Sequence, residues 1–407
     1  MEGTKANDGA TGRVALVPTR YGPGVVGGSE AVCAEIALGL SSRGWDVEVL
    51  TTCAVDHFTW ANALPEGASE ENGLLVRRFP TVRDPSRVAR RAQDSIEGDE
   101  VPSLDEQISW LGFQFRAPDL FHHLLQHSQE FDAVVFSPYL FWNTSVCLRA
   151  APERSVVVPC LHDETYARLD VLRPVLSDPA AVWFLSEPEH ELAHSLGDVS
   201  EHHVVTGAGV DVPSSYDPEG FRARHGIERP FVLYAGRREG GKGWHWLLDA
   251  YELAVKAGVE LDLVTIGAGE VHVPAGLAGR VLDLGFVSAA ERDDAFAAAA
   301  AYVQPSRMES FSRSVMEAWL AGTPVLATAD GAVVAWHCKR SGGGLLFDGA
   351  EELVEQLLSL SRSPAEARSM AERGRSYVLA EYSWDVVLDR METSLRKIAP
   401  TGSWAGS

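Results

Sequence analysis

A chain of 407 residues is long for one domain and predicts two of roughly 200 residues each. Its 45% hydrophobic and 23% charged residues allow a sizeable core, while a formal net charge of −22 excludes nucleic acid as the main partner and disfavours adsorption to anionic membranes. The five cysteines (Cys33, Cys53, Cys147, Cys160 and Cys338) form no Cys-x-x-Cys pair, which reads as reduced thiols in a cytoplasmic protein.

The polar opening MEGTKANDGATG lacks a signal-peptide core, and no apolar run reaches the ~18 residues of a membrane span. The strand RVALVPT comes first, followed by the glycine-rich turn YGPGVVGGSE, the helix AVCAEIALGLSSRG and the strand WDVEVLTT. GPGVVG fits the spacing of a dinucleotide loop, but the second strand ends in TTCA and has its acids, Asp46 and Glu48, at its beginning. We therefore read no NAD site there, only a loop whose bare N–H groups can meet an anion.

Residues 56–120 read as excursion loops and small helices. Their basic stretch RRFPTVRDPSRVARR, six arginines against one aspartate, reads as a solvated loop or ordinary salt bridges, the alternative being attraction of a phosphorylated acceptor or a lipid headgroup, with membrane contact at most peripheral. DAVVFS, RSVVVPC and AAVWFLS are strands followed by helical segments. Such near-continuous apolar strands alternating with helices predict a parallel sheet covered on both faces. In HHLLQH, His123 and His127 share a face without an evident carboxylate or thiol partner. HELAH places His190 and His194 one turn apart around Glu191, as in a zinc protease. The extended motif, however, wants a histidine where Ser200 stands, although His202 and His203 are close by. We read an exposed helical face and no metal site.

TGAGVDVPSSYDPEG, residues 206–220, reads as a linker. The alternation then restarts with strands FVLYAG, LDLVTIG, AAYVQPS and TPVLAT and helices KGWHWLLDAYELAVKAG and RSVMEAWLAG. The result is two doubly wound α/β domains in tandem. Arg237 and Lys242 lie on the glycine-rich turn after FVLYAG, where a guanidinium fork and a mobile ammonium suit a phosphate. After AAYVQPS, the turn Ser310-Phe311-Ser312 feeds a helix whose first N–H groups also suit an anion. Glu309 and Glu317 bracket that turn, and a carboxylate suits the vicinal hydroxyls of a sugar. Ser314-x-x-Glu317 is equally a capping box, which would explain Glu317 without a ligand. Asp293 and Asp294, in the helical run ERDD, are expected to face solvent.

The chain, from about residue 13 to 397, resembles the retaining glycosyltransferases called family 4, with the GT-B fold. Glu309 through Glu317 matches the family's E-x7-E motif, AGTPVLAT its Gly-Thr-Pro lead into the next strand, and Arg237 with Lys242-Gly243 its diphosphate loop. Gly27-Gly28-Ser29-Glu30 is similar to its Gly-Gly loop, and PCLHDETYARL to the segment whose histidine, here His162, approaches the donor sugar. The resemblance implies two Rossmann-like domains facing a cleft, residues 1–205 and 206–383, with 384–407 forming a final helix that crosses back to the first. It implies metal-independent transfer of a sugar, with retention, from a UDP-, GDP- or ADP-sugar to a hydroxyl acceptor. That acceptor is a glycan, a lipid-linked sugar or a small natural product, and no cofactor is used.

Arg237 and Lys242 would stabilise the leaving diphosphate, Glu309 and His162 would contact the sugar, and Glu317 the ribose. Gly27, Gly28, Gly267, Ser310, Phe311 and Ser312 complete the donor-binding set. The family often has Gly-Phe-Gly where this chain has Ser310-Phe311-Ser312, so a positive φ there would strain serine. The stretch ADGAVVAWHCKRSGGG also lacks the family's Gly-Gly-x-x-Glu pattern. Front-face attack and an enzyme nucleophile both stay open, and a non-catalytic nucleotide-sugar-binding protein of the same fold is the alternative.

Overall fold

The computed structural model describes residues 11–83, 87–113, 115–238 and 240–398. The parts of the expectations that fall on 1–10, 84–86 and 399–407 lie outside the described residues. The polypeptide divides into two compact units, one running to Gly209 and resuming at Trp384, the other Val210–Ser383. No helix among the described residues is long and apolar enough to cross a membrane.

The first unit is built on a sheet of β1 (Arg13–Pro18), β2 (Asp46–Thr52), β3 (Gly67–Glu71), β4 (Leu74–Phe79), β5 (Ala133–Ser137), β6 (Ser155–Val157), β7 (Ala181–Phe184) and β8 (His203–Val205). Their order is β3-β4-β2-β1-β5-β6-β7-β8, and every pairing is parallel except the hairpin β3–β4. Four central strands, β1, β5, β6 and β7, are buried along nearly their whole length. This is what a parallel sheet covered on both faces demands. Trp110, Phe131, Phe136 and Phe184 fill one core. Trp183 donates its indole N–H to Ser394 Oγ at 2.9 Å, and Trp45 donates to Glu392 at 2.9 Å. Both acceptors belong to the last helix, Trp384–Ile398.

The stretch 56–120 is more ordered than its composition suggests. It contains β3 and β4, and Arg77 and Arg78 of the basic run lie in β4. Arg77 meets the buried Glu48 at 3.0 Å, and the buried Arg78 reaches Glu71 at 2.6 Å. Salt bridges, not a solvated loop, account for these two arginines.

The second unit carries β9 (Phe231–Ala235), β10 (Asp262–Ile266), β11 (Val281–Asp283), β12 (Ala301–Gln304), β13 (Val325–Thr328) and β14 (Gly344–Phe347), in the order β11-β10-β9-β12-β13-β14. All its pairings are parallel. Tyr234, Trp244, Leu247, Tyr251 and Leu326 form its core. The loops after β10, β9 and β12 therefore leave neighbouring strands at the same end of the sheet, the end where open α/β sheets take ligands.

Candidate functional site

On the second unit, the loop after β9 and the turn after β12 meet through one contact. Lys242 Nζ donates to Glu309 Oε1 at 2.8 Å and to the Met308 carbonyl at 3.1 Å. Both side chains are only partly exposed, 25% and 15%. The approach depends on Gly243, which caps the helix Trp244–Lys256 with φ of 72°. A Cβ there would stand 2.6 Å from the Pro305 carbonyl oxygen. No other residue type lets the helix start this close to the β12 turn.

Arg237 is exposed, while its backbone carbonyl accepts the Tyr234 hydroxyl at 2.8 Å. Its neighbour Arg238 has the opposite fate. It is buried, donates to the Gly267 carbonyl and pairs with Asp283. Of two adjacent cations, one is buried and holds the β9 and β10 loops together, and the other is exposed. Gly267 is required by the same closeness, since a Cβ there would fall 2.1 Å from the Gly236 carbonyl oxygen.

Glu317 does not form the capping box. The helix is Arg313–Leu320, capped by Ser312 without a side-chain hydrogen bond. The Ser314 hydroxyl instead accepts from Tyr302 at 2.8 Å and from Gln304 at 3.2 Å. Glu317 Oε1 faces Arg292 at 3.1 Å and Arg313 at 4.0 Å. Phe311 is buried, with its ring edge-on to Tyr382 (4.9 Å) and His337 (5.5 Å), so its side chain belongs to the core. Asp293 and Asp294 are not solvated either. Asp294 accepts from the Asp217 N–H at 2.7 Å and pairs with Arg224 at 2.9 Å. Burial raises the Asp293 carboxyl above its usual range, against the pull of Arg292.

Ser312 is the strained member of the serine pair, at φ 65° and buried. Left-handed backbone costs an L-residue about 1–2 kcal/mol. The Ser312 hydroxyl offsets part of this by accepting from Gln304 Nε2 at 2.9 Å.

On the first unit, Gly27 caps the helix Gly28–Ser42. A Cβ at Gly27 would lie 2.1 Å from Glu30 Oε2, whereas one at Gly28 meets nothing within 4 Å. Packing thus accounts for the first glycine and not the second. Glu30 is buried and paired with the equally buried Arg20 at 2.5 Å, and Arg20 also donates to the Val55 carbonyl at 2.7 Å. That Glu30 pairs with Arg20 was not legible in the sequence. Its signal was an acid in the first helical turn behind a glycine loop, which resembles an ordinary helix-start acid.

His162 is half-buried, with Nδ1 3.8 Å from Glu164 Oε1. Glu164 accepts from the Tyr139 hydroxyl at 3.0 Å, and burial raises its carboxyl pKa. The turn before His162 is itself constrained, because Cys160 sits at φ 51°. Behind it, Glu189 accepts the backbone N–H of Leu161 at 2.6 Å and that of Leu185. Burial pushes the Glu189 carboxyl up to about 8, although both N–H donors pull it down. Glu189, one residue ahead of HELAH on the same helix, thus fastens the loop that carries His162.

The HELAH face is not simply exposed. The His190 ring packs edge-on to Phe184 at 5.3 Å and lies 5.0 Å from the His203 ring. His123 and His127 stack at 4.5 Å, and His127 does have a carboxylate partner, Glu130 at 2.7 Å.

Residues 229–363 match the family described as Glycosyl transferases group 1. The chain is similar to D-inositol 3-phosphate glycosyltransferase of Mycolicibacterium paratuberculosis, at 25% identity over 92% of this chain and 87% of that protein. Sucrose-phosphate synthase of Thermosynechococcus elongatus superposes with a TM-score of 0.71 at 17% identity, covering 95% of this chain and 99% of that one. The Anabaena HepE protein in complex with UDP-glucose gives 0.68 at 17% identity, covering 95% and 100%. The fold is GT-B.

The positive φ of Ser312 predicts that Ser312→Gly unfolds later than Ser312→Ala, by about 1 kcal/mol in chemical denaturation. Both lose the Gln304 hydrogen bond, but only glycine relieves the backbone. Glu189→Gln places an amide NH2 against a backbone N–H and is expected to cost about 1–3 kcal/mol. The raised carboxyl adds a pH signature. A group held protonated by folding stabilises fully below its unfolded value of 4.5 and loses that contribution as pH rises towards 8. Denaturation of both proteins across this window should therefore show the gap narrowing with pH.

Proposed function

We propose that this chain, a GT-B fold, is a glycosyltransferase that moves a sugar from a nucleoside-diphosphate donor to a hydroxyl acceptor, with retention and without a metal. The observation that carries this reading is the Lys242–Glu309 pair, set at the carboxyl ends of neighbouring strands. Departure of a nucleoside diphosphate builds negative charge. A fixed ammonium, an exposed guanidinium and the N-terminal amides of two helices can stabilise that charge without reorganising.

In this reading Lys242 and Arg237 take the diphosphate. Glu309 accepts hydrogen bonds from sugar hydroxyls, and Glu317, pinned by Arg292 through one oxygen, takes the ribose diol. The backbone of Ser310, Phe311 and Ser312 contributes amides, and Gly267 allows close approach. UDP-glucose in HepE and the name of the inositol phosphate relative support a nucleotide-sugar donor and a hydroxyl-rich acceptor. On the first unit we assign His162 to the sugar and Gly27-Gly28 to the donor.

A panel of UDP-, GDP- and ADP-sugars, assayed for nucleoside diphosphate release and for the anomeric configuration of the product, tests the whole reading. Transfer from one donor with retention, unchanged by EDTA, is expected. Release from none of them, or loss of transfer in EDTA at a temperature where the protein stays folded, overturns it. Lys242→Met removes the charge and keeps the stem, and should lower kcat/KM about 10²–10³-fold, the loss typical of one transition-state donor.

Gly28→Ala adds a methyl group to open space, so its melting temperature should stay within a degree or so of the parent, because surface changes of this kind rarely exceed about 0.5 kcal/mol. A fall in kcat/KM without that thermal loss is the expected result. Unchanged kinetics would remove Gly28 from the donor site.

A further inference from the structure

The helix Glu187–Leu196 and the strand β8 assemble three imidazoles that sugar transfer does not use. His190 and His194 lie one turn apart on the helix, and His203 opens β8 opposite Val182 of β7. The ring centroids stand 4.6 Å (His190–His194), 5.0 Å (His190–His203) and 5.1 Å (His194–His203) apart. One ligand atom from each of the three falls within 4.8 Å of the other two. The sequence lacked a third ligand at Ser200, and the fold supplies it three residues further on.

The surroundings fix how these rings can present a lone pair. His203 Nδ1 lies 2.9 Å from the Ser200 carbonyl oxygen. A carbonyl only accepts, so Nδ1 carries the proton and Nε2 keeps its lone pair. Glu187 Oε1 is 3.4 Å from His190 Nδ1, a charge contact one helical turn away that makes no hydrogen bond to the ring. Both ring nitrogens of His190 are buried and make no hydrogen bond within the described residues. An imidazole held this way is costly unless something answers it. His194 and His203 are exposed, which gives an ion a way in and leaves a coordination position for water.

We propose that His190, His194 and His203 bind one divalent transition-metal ion of the zinc class. Three neutral nitrogen ligands suit borderline cations such as Zn²⁺ and Co²⁺ and do not suit Mg²⁺ or Ca²⁺. β8 is the last strand of its sheet, so the ion ties the helix to a sheet edge that has no further strand to pair with. Its role is structural, separate from sugar transfer and independent of the donor reading above.

The test uses the full chain without a polyhistidine tag, dialysed against ZnCl2 and separately against CoCl2. The expected result is about one ion per chain, a visible Co²⁺ band of low coordination number, and a melting temperature raised by zinc. His203→Ala and His194→Ala alter exposed side chains and should fold. Each should weaken zinc binding at least about tenfold, more than loss of an outer-shell partner does at minimum. His123→Ala, in the stacked His123–His127 pair, should leave zinc binding unchanged. No zinc bound at micromolar free ion, or binding unaffected by His203→Ala, overturns the proposal. Magnesium raising the melting temperature as zinc does would also overturn it.

Discussion

The ammonium of Lys242 against the Glu309 carboxylate is the contact on which the site of the second unit depends. It ties the loop after β9 to the turn after β12, and Gly243 makes the distance possible by meeting Pro305 without a side chain. Both charges are partly desolvated, so attraction and lost hydration nearly offset each other. In the proposed reading a donor phosphate shares the Lys242 ammonium already held there, and Glu309 accepts from sugar hydroxyls with its other oxygen, the loops being in position beforehand. The pair thus places both groups before any ligand arrives, which is where preorganisation acts.

The first unit treats its buried acids in two ways. Glu48 is answered by Arg13 at 2.9 Å and Arg77 at 3.0 Å, and Glu30 by Arg20 at 2.5 Å. Glu189 instead meets backbone N–H groups of Leu161 and Leu185. Two dipoles do not match a full counter-charge, so burial dominates and the carboxyl rises to about 8. What Glu189 provides is geometry. It fastens the end of β7 to the loop that carries His162, next to the left-handed Cys160.

Nine strands were legible as apolar runs; β3, β4, β8, β11 and β14 were not. Four of these five are the outermost strands of the two sheets, and β4 lies one place in. An edge strand is covered less completely, so its residues need not be continuously apolar. In β4 only the first four positions alternate in burial, and of its two adjacent arginines Arg77 is half-exposed while Arg78 is buried against Glu71. The loops at the carboxyl ends were legible because glycines and charges stand out after apolar strands. What their side chains touch was not. Arg237 and Arg238 are indistinguishable in sequence, and only the fold decides which is buried. His203 was noticed beside HELAH, but that it closes on His190 and His194 was not legible, since β8 itself could not be read.

The eight-residue spacing of Glu309 and Glu317 has a simple electrostatic meaning once the helix start is known. With Ser312 at the cap, Glu309 lies outside the helix and Glu317 is its fifth residue, beyond the reach of the first-turn amides. Neither acid serves the helix terminus, so each requires a cation of its own. Glu309 has Lys242, from the loop after β9. Glu317 has Arg292, from the helix Ala289–Ala298, together with Arg313. The helix N-terminus between them is therefore left with its positive end uncompensated by either carboxylate. With both acids answered by cations of their own, that terminus carries no built-in counter-charge, which is the electrostatic condition the proposed diphosphate requires there.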